Sequence, residues 1–389
     1  MTETTHPVLA QRVFWLGEAI WQEPDPTRLV EQLIDMLRDS GIPLQRVNIA
    51  VSTLHPEIVG VARIWKRETD HVESLTGNRG QMLSPEIYDR SPFRLVIEEG
   101  AAGIRRRLER DDCLDDLDVL ADLRAEGATD YVAIATGSFG SRGGTLCTWT
   151  TDRPGGFTTP ELVAIAEHAR LLGHVLAAHS ARETARNLLD TYVGSRARAR
   201  ILDGDIARGR GTSLEAAIWL SDIRDFTALT ERLPPDELLA LLDAHFDTLI
   251  KPVQARGGEV LKLMGDAVLA VFPTDIEGGA EAACMAALAA AREARAATAQ
   301  ADKPVRHVVA LHFGTVTFGN VGASNRLDFT VIGPAVNLAS RLNSLGKDLD
   351  CEIVLSADFA AHIDDPLTSL GRFELRGIAG EHEAFTTAP

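Results

Sequence analysis

The 389-residue chain is poor in cysteine, in aromatic residues and in positive charge. Its four cysteines stand far apart without a Cys-x-x-Cys pair, which argues against a zinc ribbon and a disulfide scaffold. Acidic residues outnumber basic ones by 56 to 39, which argues against a protein that wraps a duplex phosphate backbone, because such binding needs a basic face. No stretch is apolar over the ~20 residues of a membrane-spanning helix. We expect no secretory signal, because the first ten residues lack a basic and an apolar segment. We therefore expect a cytoplasmic protein of two or three domains, without a membrane span or a nucleic-acid partner.

The N-terminal part of the chain shows helical patterns that enclose strand-like patterns. Apolar residues at helical spacing predict helices over 9–39, short β-like runs follow between 46 and 151, and a long helix begins near Glu161. Residues 131–178 resemble the second half of a GAF-type sensory domain, in which a strand pair leads through a Phe-Thr-x-x-Glu motif into the exit helix. A PAS-like module is the alternative. The resemblance implies an α+β sensor domain over 1–178 that receives an unknown small-molecule or protein input.

Residues 179–212 are predicted to form a helical linker. Residues 180–212 contain seven arginines and four acidic residues, and they end in a glycine-rich segment. A solvated helix explains this composition better than a nucleic-acid-binding patch. A short apolar seam within it could pair with a second chain, although it has fewer than three clean heptads.

Beyond the linker, the pattern predicts a second α+β domain over 213–389. The apolar run AAIWLSD, the pair of short strands in EVLKLMGDAVLAVF and the strand VRHVVALHFGTV alternate with helical segments. We expect a sheet with antiparallel strands, helices on one of its faces and CEIVLS as its last strand.

Two aspartates of this domain stand at the end or in the middle of an apolar strand. Asp222 closes IWLSD, and Asp266 interrupts LMGDAVLAVF. A carboxylate in such a run is costly to bury without a partner. A buried ion pair or an exposed strand end could satisfy either residue, but two such carboxylates are also the minimal site for a Mg²⁺ ion that carries phosphates.

Three ordered segments, WLSDIRDFTALTERL, EVLKLMGDAVLAVF and DFTVIGPAVNLASRL, resemble the signature segments of class III nucleotidyl cyclases. The resemblance covers about 213–387 and extends to the linker sequence. It implies a ferredoxin-like palm that forms a 3′,5′-cyclic nucleotide and pyrophosphate by two-metal-ion catalysis, with Mg²⁺ or Mn²⁺ as the two ions. It also implies a head-to-tail homodimer, because in this family each site takes its metal ligands from one chain and its other groups from the partner.

The resemblance assigns the metal and phosphate ligands of the site. Asp222 and Asp266 match the two metal-binding aspartates, and the main-chain carbonyl of Ile223 would add one further ligand. Phe226 and Thr227, at the start of a helix, would present N–H groups to phosphate oxygens.

The remaining site residues also follow from the resemblance. Asn337 and Arg341 match the pair that stabilises the transition state, and their i, i+4 spacing places them on one face of a helix. Arg376 lies near the position of a phosphate-binding lysine. Lys262 and Thr330 match the purine-selecting positions, with the Lys and Thr of a bacterial subgroup. A lysine can donate to adenine N1 and a threonine can accept from the 6-amino group, so the expected substrate is ATP.

One residue departs from the family pattern Asp-x-x-Gly-Phe-Thr, because Asp225 stands in place of the glycine. Its charge would oppose triphosphate binding if it pointed inward, and would have no effect if it pointed to solvent. The sequence thus predicts an adenylate cyclase that is regulated by its N-terminal domain. A guanylyl or mixed-specificity cyclase, or a catalytically silent nucleotide-binding module, are the alternatives.

Overall fold

The computed structural model describes residues 25–53, 58–78, 89–95, 103–110, 117–138, 144–275 and 277–387. The part of the predicted first helical region that precedes residue 25 lies outside these ranges. The chain divides into two compact units, residues 1–188 and 189–389. No helix within the described ranges is long and apolar enough to cross a membrane.

The first unit is built on a six-stranded antiparallel sheet with the strand order β3-β2-β1-β6-β5-β4. Helices α1 and α3 pack against one face through a core that includes Leu33, Ile49, Trp149 and Leu172. A second, smaller apolar cluster surrounds α2 and includes Tyr131. The elements are α1 (Pro26–Asp39), β1 (Arg46–Ser52), β2 (Ile58–Lys66), β3 (His71–Asn78), β4 (Ile104–Arg107), α2 (Val119–Ala125), β5 (Asp130–Ser138), β6 (Gly144–Thr151) and α3 (Thr159–Val193).

The second unit has a sheet with the order β13-β14-β12-β10-β7-β9-β8, and β11 pairs with the far half of β10. Only β10 and β12 run parallel among the described strand pairs. The elements are α4 (Ser195–Leu202), β7 (Gly211–Ile223), α5 (Phe226–Arg232), α6 (Pro235–Ala255), β8 (Glu259–Met264), β9 (Ala267–Pro273), α7 (Gly279–Ala299), β10 (His307–Ala323), β11 (Arg326–Ile332), α8 (Pro334–Asp348), β12 (Ile353–Ser356), α9 (Ala357–Ala360), β13 (Leu367–Glu374) and β14 (Glu381–Thr387).

The helices of this unit cover both faces of its sheet, so the prediction of helices on one face is wrong. Ala217 and Trp219 of β7 belong to the core that α6 and α7 cover, whereas Ala216 and Ile218 belong to the core that α8 covers. The central strands are apolar at both odd and even positions, and a sheet of that kind needs cover on both sides.

The prediction that CEIVLS ends the sheet is also wrong, because β13 and β14 follow β12 and pair with each other. Most residues of β13 remain partly or fully exposed. A strand at the edge of a sheet lacks the continuous apolar run by which the central strands are recognised in the sequence.

Candidate active site

Two carboxylates meet where β7 ends and β8 turns into β9. Asp222 lies near the end of β7, and Asp266 follows Gly265, which has a φ of 66° that favours glycine. The N–H of Ile223 donates to Oδ2 of Asp266 at 3.1 Å. Burial, followed by the neighbouring Asp222 carboxyl group, raises the pKa of Asp266 to about 6. Bringing the two charges together is therefore unfavourable, and a cation would relieve the repulsion.

The donor chemistry of this pair fits a hard divalent cation that is shared with phosphates. Among the described residues, no group of three or more His, Cys, Asp or Glu side chains is placed to hold a metal by itself. Mg²⁺ is usually bound through one or two carboxylates, with water and substrate phosphates completing its coordination. Two adjacent aspartates and a nearby main-chain carbonyl match that arrangement.

The backbone conformation of Asp225 explains why the family pattern has a glycine at this position. Its φ is 54°, in the left-handed region, and it precedes the first residue of α5. Aspartate is one of the few residues other than glycine that tolerate this region. The residue is exposed, so the structure does not bury its charge in the site.

Helix α8 carries both predicted transition-state residues on its exposed surface. Asn337 and Arg341 lie one turn apart and are exposed. The buried amide of Asn343 donates to the carbonyl oxygens of Leu220 and Val308, at 3.2 and 3.0 Å, and thereby fixes the helix on the sheet. Within the described chain, no hydrogen bond or ion pair joins Asn337 or Arg341 to the two aspartates. Within a single chain, the two aspartates and the pair of Asn337 and Arg341 are therefore two separate groups of candidate site residues.

The segment after Asp222 is tied to the C-terminal end of α8 by Arg224. Its guanidinium donates to the carbonyl oxygens of Gly346, Lys347 and Cys351 at 2.9, 3.2 and 2.9 Å, and to Asp350 at 2.6 Å. A cation at this end of a helix also interacts favourably with the helix dipole. Arg224 thus fixes the position of the carboxylate segment relative to α8.

The lysine predicted to select the purine base has an acidic partner that the sequence interpretation missed. Nζ of Lys262 donates to Oδ2 of Asp328 at 2.6 Å. Asp328 and Thr330 are two residues apart on β11, so their side chains project from the same face of the strand. Strand alternation could have identified Asp328, which lies in the same motif as Thr330.

The other predicted phosphate ligands lie at the surface. Phe226 is the first residue of α5 and is half-buried, and Thr227 is exposed. Arg376 is exposed between β13 and β14. An open cavity of about 900 Å³ is lined by the three residues that follow Arg376 and by Asn337.

A second missed residue contacts the carboxylate pair itself. Nζ of Lys347, in the last turn of α8, lies 2.8 Å from Oδ1 of Asp222. No spacing or motif in the sequence connects these two residues, which lie 125 positions apart and meet only because α8 packs beside β7.

Comparison with known proteins relates the second unit to one enzyme family. Residues 212–387 match the family model described as "Adenylate and Guanylate cyclase catalytic domain". Adenylate cyclase 1 of Rhizobium meliloti is 34% identical over 157 residues, which are 39% of this chain and 24% of that protein. An adenylate cyclase of Anabaena cylindrica is 31% identical over 170 residues, which are 42% of this chain and 33% of that protein. This chain therefore spans only a quarter to a third of the length of these two relatives.

A solved structure is also similar to part of this chain. The crystal structure of the adenylyl cyclase CyaB from P. aeruginosa aligns with 46% of this chain and 96% of its own, at 28% identity and a TM-score of 0.41.

Proposed function

We propose that residues 212–387, a class III adenylate/guanylate cyclase catalytic domain, convert ATP to 3′,5′-cyclic AMP and pyrophosphate. The observation that carries this proposal is the pair of adjacent carboxylates, Asp222 and Asp266, inside the segment that matches the family. The relatives from Rhizobium meliloti and Anabaena cylindrica are both named adenylate cyclases.

The carboxylates and the carbonyl of Ile223 would hold Mg²⁺ or Mn²⁺, two ions per site. Bound metal supplies charge that activates the ribose 3′-hydroxyl and neutralises the triphosphate. Asp266 is held for this role by the N–H of Ile223. Phe226, Thr227 and Arg376 would bind phosphate oxygens.

Asn337 and Arg341 would complete the site from a second copy of the chain. Both are exposed on α8 and do not bond to the aspartates of their own chain. We therefore propose a homodimer with two equivalent sites. In each site, Asn337 orients the ribose and Arg341 neutralises the charge that develops on the α-phosphate, so a separated chain would be inactive.

Base selection would rest on Lys262, Thr330 and Asp328. The lysine can donate to adenine N1, and the oxygens of Thr330 or Asp328 can accept from the 6-amino group. Guanine has a hydrogen-bond donor at N1, so Lys262 cannot donate to its N1 as it can to that of adenine. The ion pair between Lys262 and Asp328 holds the lysine beside Thr330.

The double substitution Lys262→Glu with Thr330→Cys tests this assignment. A carboxylate can accept from guanine N1–H, so kcat/KM should fall for ATP and rise for GTP. Loss of well-placed hydrogen bonds to a base costs roughly 10²-fold or more in discrimination. Steady-state rates with each nucleotide give the ratio. Lys251→Met, which removes an exposed lysine of α6, serves as the control. If the double variant has the same ratio of kcat/KM for ATP to kcat/KM for GTP as the wild type, Lys262 and Thr330 do not select the base.

The substitution Asp225→Gly tests the role of the departure from the family pattern. Glycine adopts a φ of 54° without strain, and the exposed carboxylate makes no side-chain cap bond. We expect the cyclase rate to stay within about twofold and the unfolding free energy to change by less than about 1 kcal/mol. Asp225→Val, a β-branched residue in the same conformation, should lower the thermal unfolding midpoint. A rate increase of tenfold or more in the glycine variant would show that Asp225 inhibits the enzyme.

We further propose that residues 1–178 form a GAF-like sensor domain that regulates the cyclase through the helices that follow. Its antiparallel sheet and the long helix α3 support this interpretation. After α3, Gly194 has a φ of 86°, and Glu259 at the start of β8 accepts from the N–H of Arg196 at 2.8 Å. The linker thus contacts the strand that carries Lys262, which offers a route by which an input could reach the base-binding residues.

A further inference from the structure

The carboxylate of Asp222 already has a cationic partner within its own chain. Nζ of Lys347 lies 2.8 Å from Oδ1 of Asp222, and each side chain is about one third exposed, at 34% and 32%. Lys347 forms no ion pair with another acidic group of the described chain. The nearby Asp350 carboxylate is bound instead by Arg224 and Arg306.

The surrounding contacts keep Lys347 beside this carboxylate. Arg224 fastens the segment after Asp222 to the main chain at residues 346, 347 and 351. Gly346 packs so closely on the sheet that a Cβ atom there would lie 2.5 Å from a side-chain carbon of Val308. The main chain at Lys347 is therefore fixed, and only its flexible four-carbon side chain is free to move.

We propose that Lys347 is a displaceable counter-ion of the metal site, whose ammonium must leave Asp222 before that carboxylate can bind a divalent cation. This inference rests on the proposed function. An ammonium and a metal ion at the same oxygen repel each other, so metal binding includes the loss of one ion pair. Lys347 thereby raises the metal concentration at which the site fills.

The size of the effect follows from the exposure of the pair. An ion pair that is partly accessible to solvent changes an equilibrium by roughly two- to fivefold. Removing the ammonium while keeping the length of the side chain should therefore tighten metal binding by about that factor.

The test measures Mn²⁺ binding to the full chain without nucleotide, from the electron paramagnetic resonance signal of free Mn²⁺. Lys347→Met is compared with wild type, with Asp222→Asn and with Lys251→Met. The last variant breaks an exposed Lys–Asp pair on α6, between Lys251 and Asp247. We expect Lys347→Met to lower the Kd for Mn²⁺ by roughly two- to fivefold, Asp222→Asn to raise it, and Lys251→Met to leave it unchanged. Lys347→Gln should lower the Kd for Mn²⁺ in the same way, and it replaces Lys347→Met in the comparison if the methionine variant does not fold.

The outcomes separate the failure of this inference from the failure of the proposed function. If Asp222→Asn weakens Mn²⁺ binding but neither Lys347 variant strengthens it, Lys347 is not a competing counter-ion. The proposed metal site at Asp222 is then still supported. If wild type and Asp222→Asn bind Mn²⁺ equally, the metal site itself is wrong, and both proposals are overturned.

Discussion

Replacing Asp266 with asparagine is expected to reduce cyclic AMP formation by about a thousandfold or more. The substitution keeps the shape of the side chain and an oxygen that can accept from the N–H of Ile223, but it removes the charge that binds metal. Metal ions contribute several kcal/mol of transition-state stabilisation, and about 1.4 kcal/mol corresponds to a tenfold change in rate. Initial rates at saturating Mn²⁺ and ATP measure the loss.

A surface variant shows whether such a loss is specific. Asp243 is exposed on α6, and Asp243→Asn should retain the wild-type rate. The thermal unfolding midpoint of Asp266→Asn should not fall, because the substitution removes the repulsion from Asp222 that contributes to the raised pKa of Asp266. An Asp266→Asn protein that keeps more than about a tenth of the wild-type rate would contradict a catalytic role for the carboxylate.

Mixing two inactive variants is expected to restore activity. In the proposed homodimer, Asp222→Ala removes the metal half of each site, and Arg341→Ala removes the other half. A heterodimer of the two variants contains one site with both substitutions and one intact site. Random reassociation of equal amounts makes half of the dimers mixed, so about one quarter of the wild-type rate should return.

The controls for this experiment are each variant alone and a mixture of Asp222→Ala with Asp266→Asn, in which both substitutions affect the metal half of the site. All three should stay inactive. Size-exclusion chromatography with light scattering verifies that each sample is dimeric. If the mixed sample remains as inactive as its components although heterodimers are present, the site is not shared between chains.

The sequence alone predicted the elements that carry the site better than the contacts among its residues. Asp222 lies at the end of an apolar run that forms β7, and the i, i+4 pair Asn337 and Arg341 lies one turn apart on α8, both as expected. These features depend on local periodicity, which can be read from a few neighbouring residues.

The contacts of Arg224 and Lys347 could not be predicted in this way. Both depend on the packing of α8 beside β7, which brings together residues that are more than 120 positions apart. The covering of both sheet faces, by contrast, is indicated by the sequence, because the central strands are apolar at both odd and even positions. Asp328 could also have been predicted, because strand alternation places its side chain on the same face of β11 as that of Thr330.

The central claim is that this chain makes 3′,5′-cyclic AMP, and the most direct measurement is product formation by the purified chain. The protein is incubated with ATP or GTP, with Mg²⁺ or Mn²⁺, and both cyclic nucleotides are separated and quantified. We predict cyclic AMP from ATP in the presence of a divalent cation, little cyclic GMP from GTP, and no product from the Asp222→Ala variant. Cyclic GMP as the main product would contradict the base assignment. The absence of both products from a dimeric wild-type protein would contradict the proposed activity.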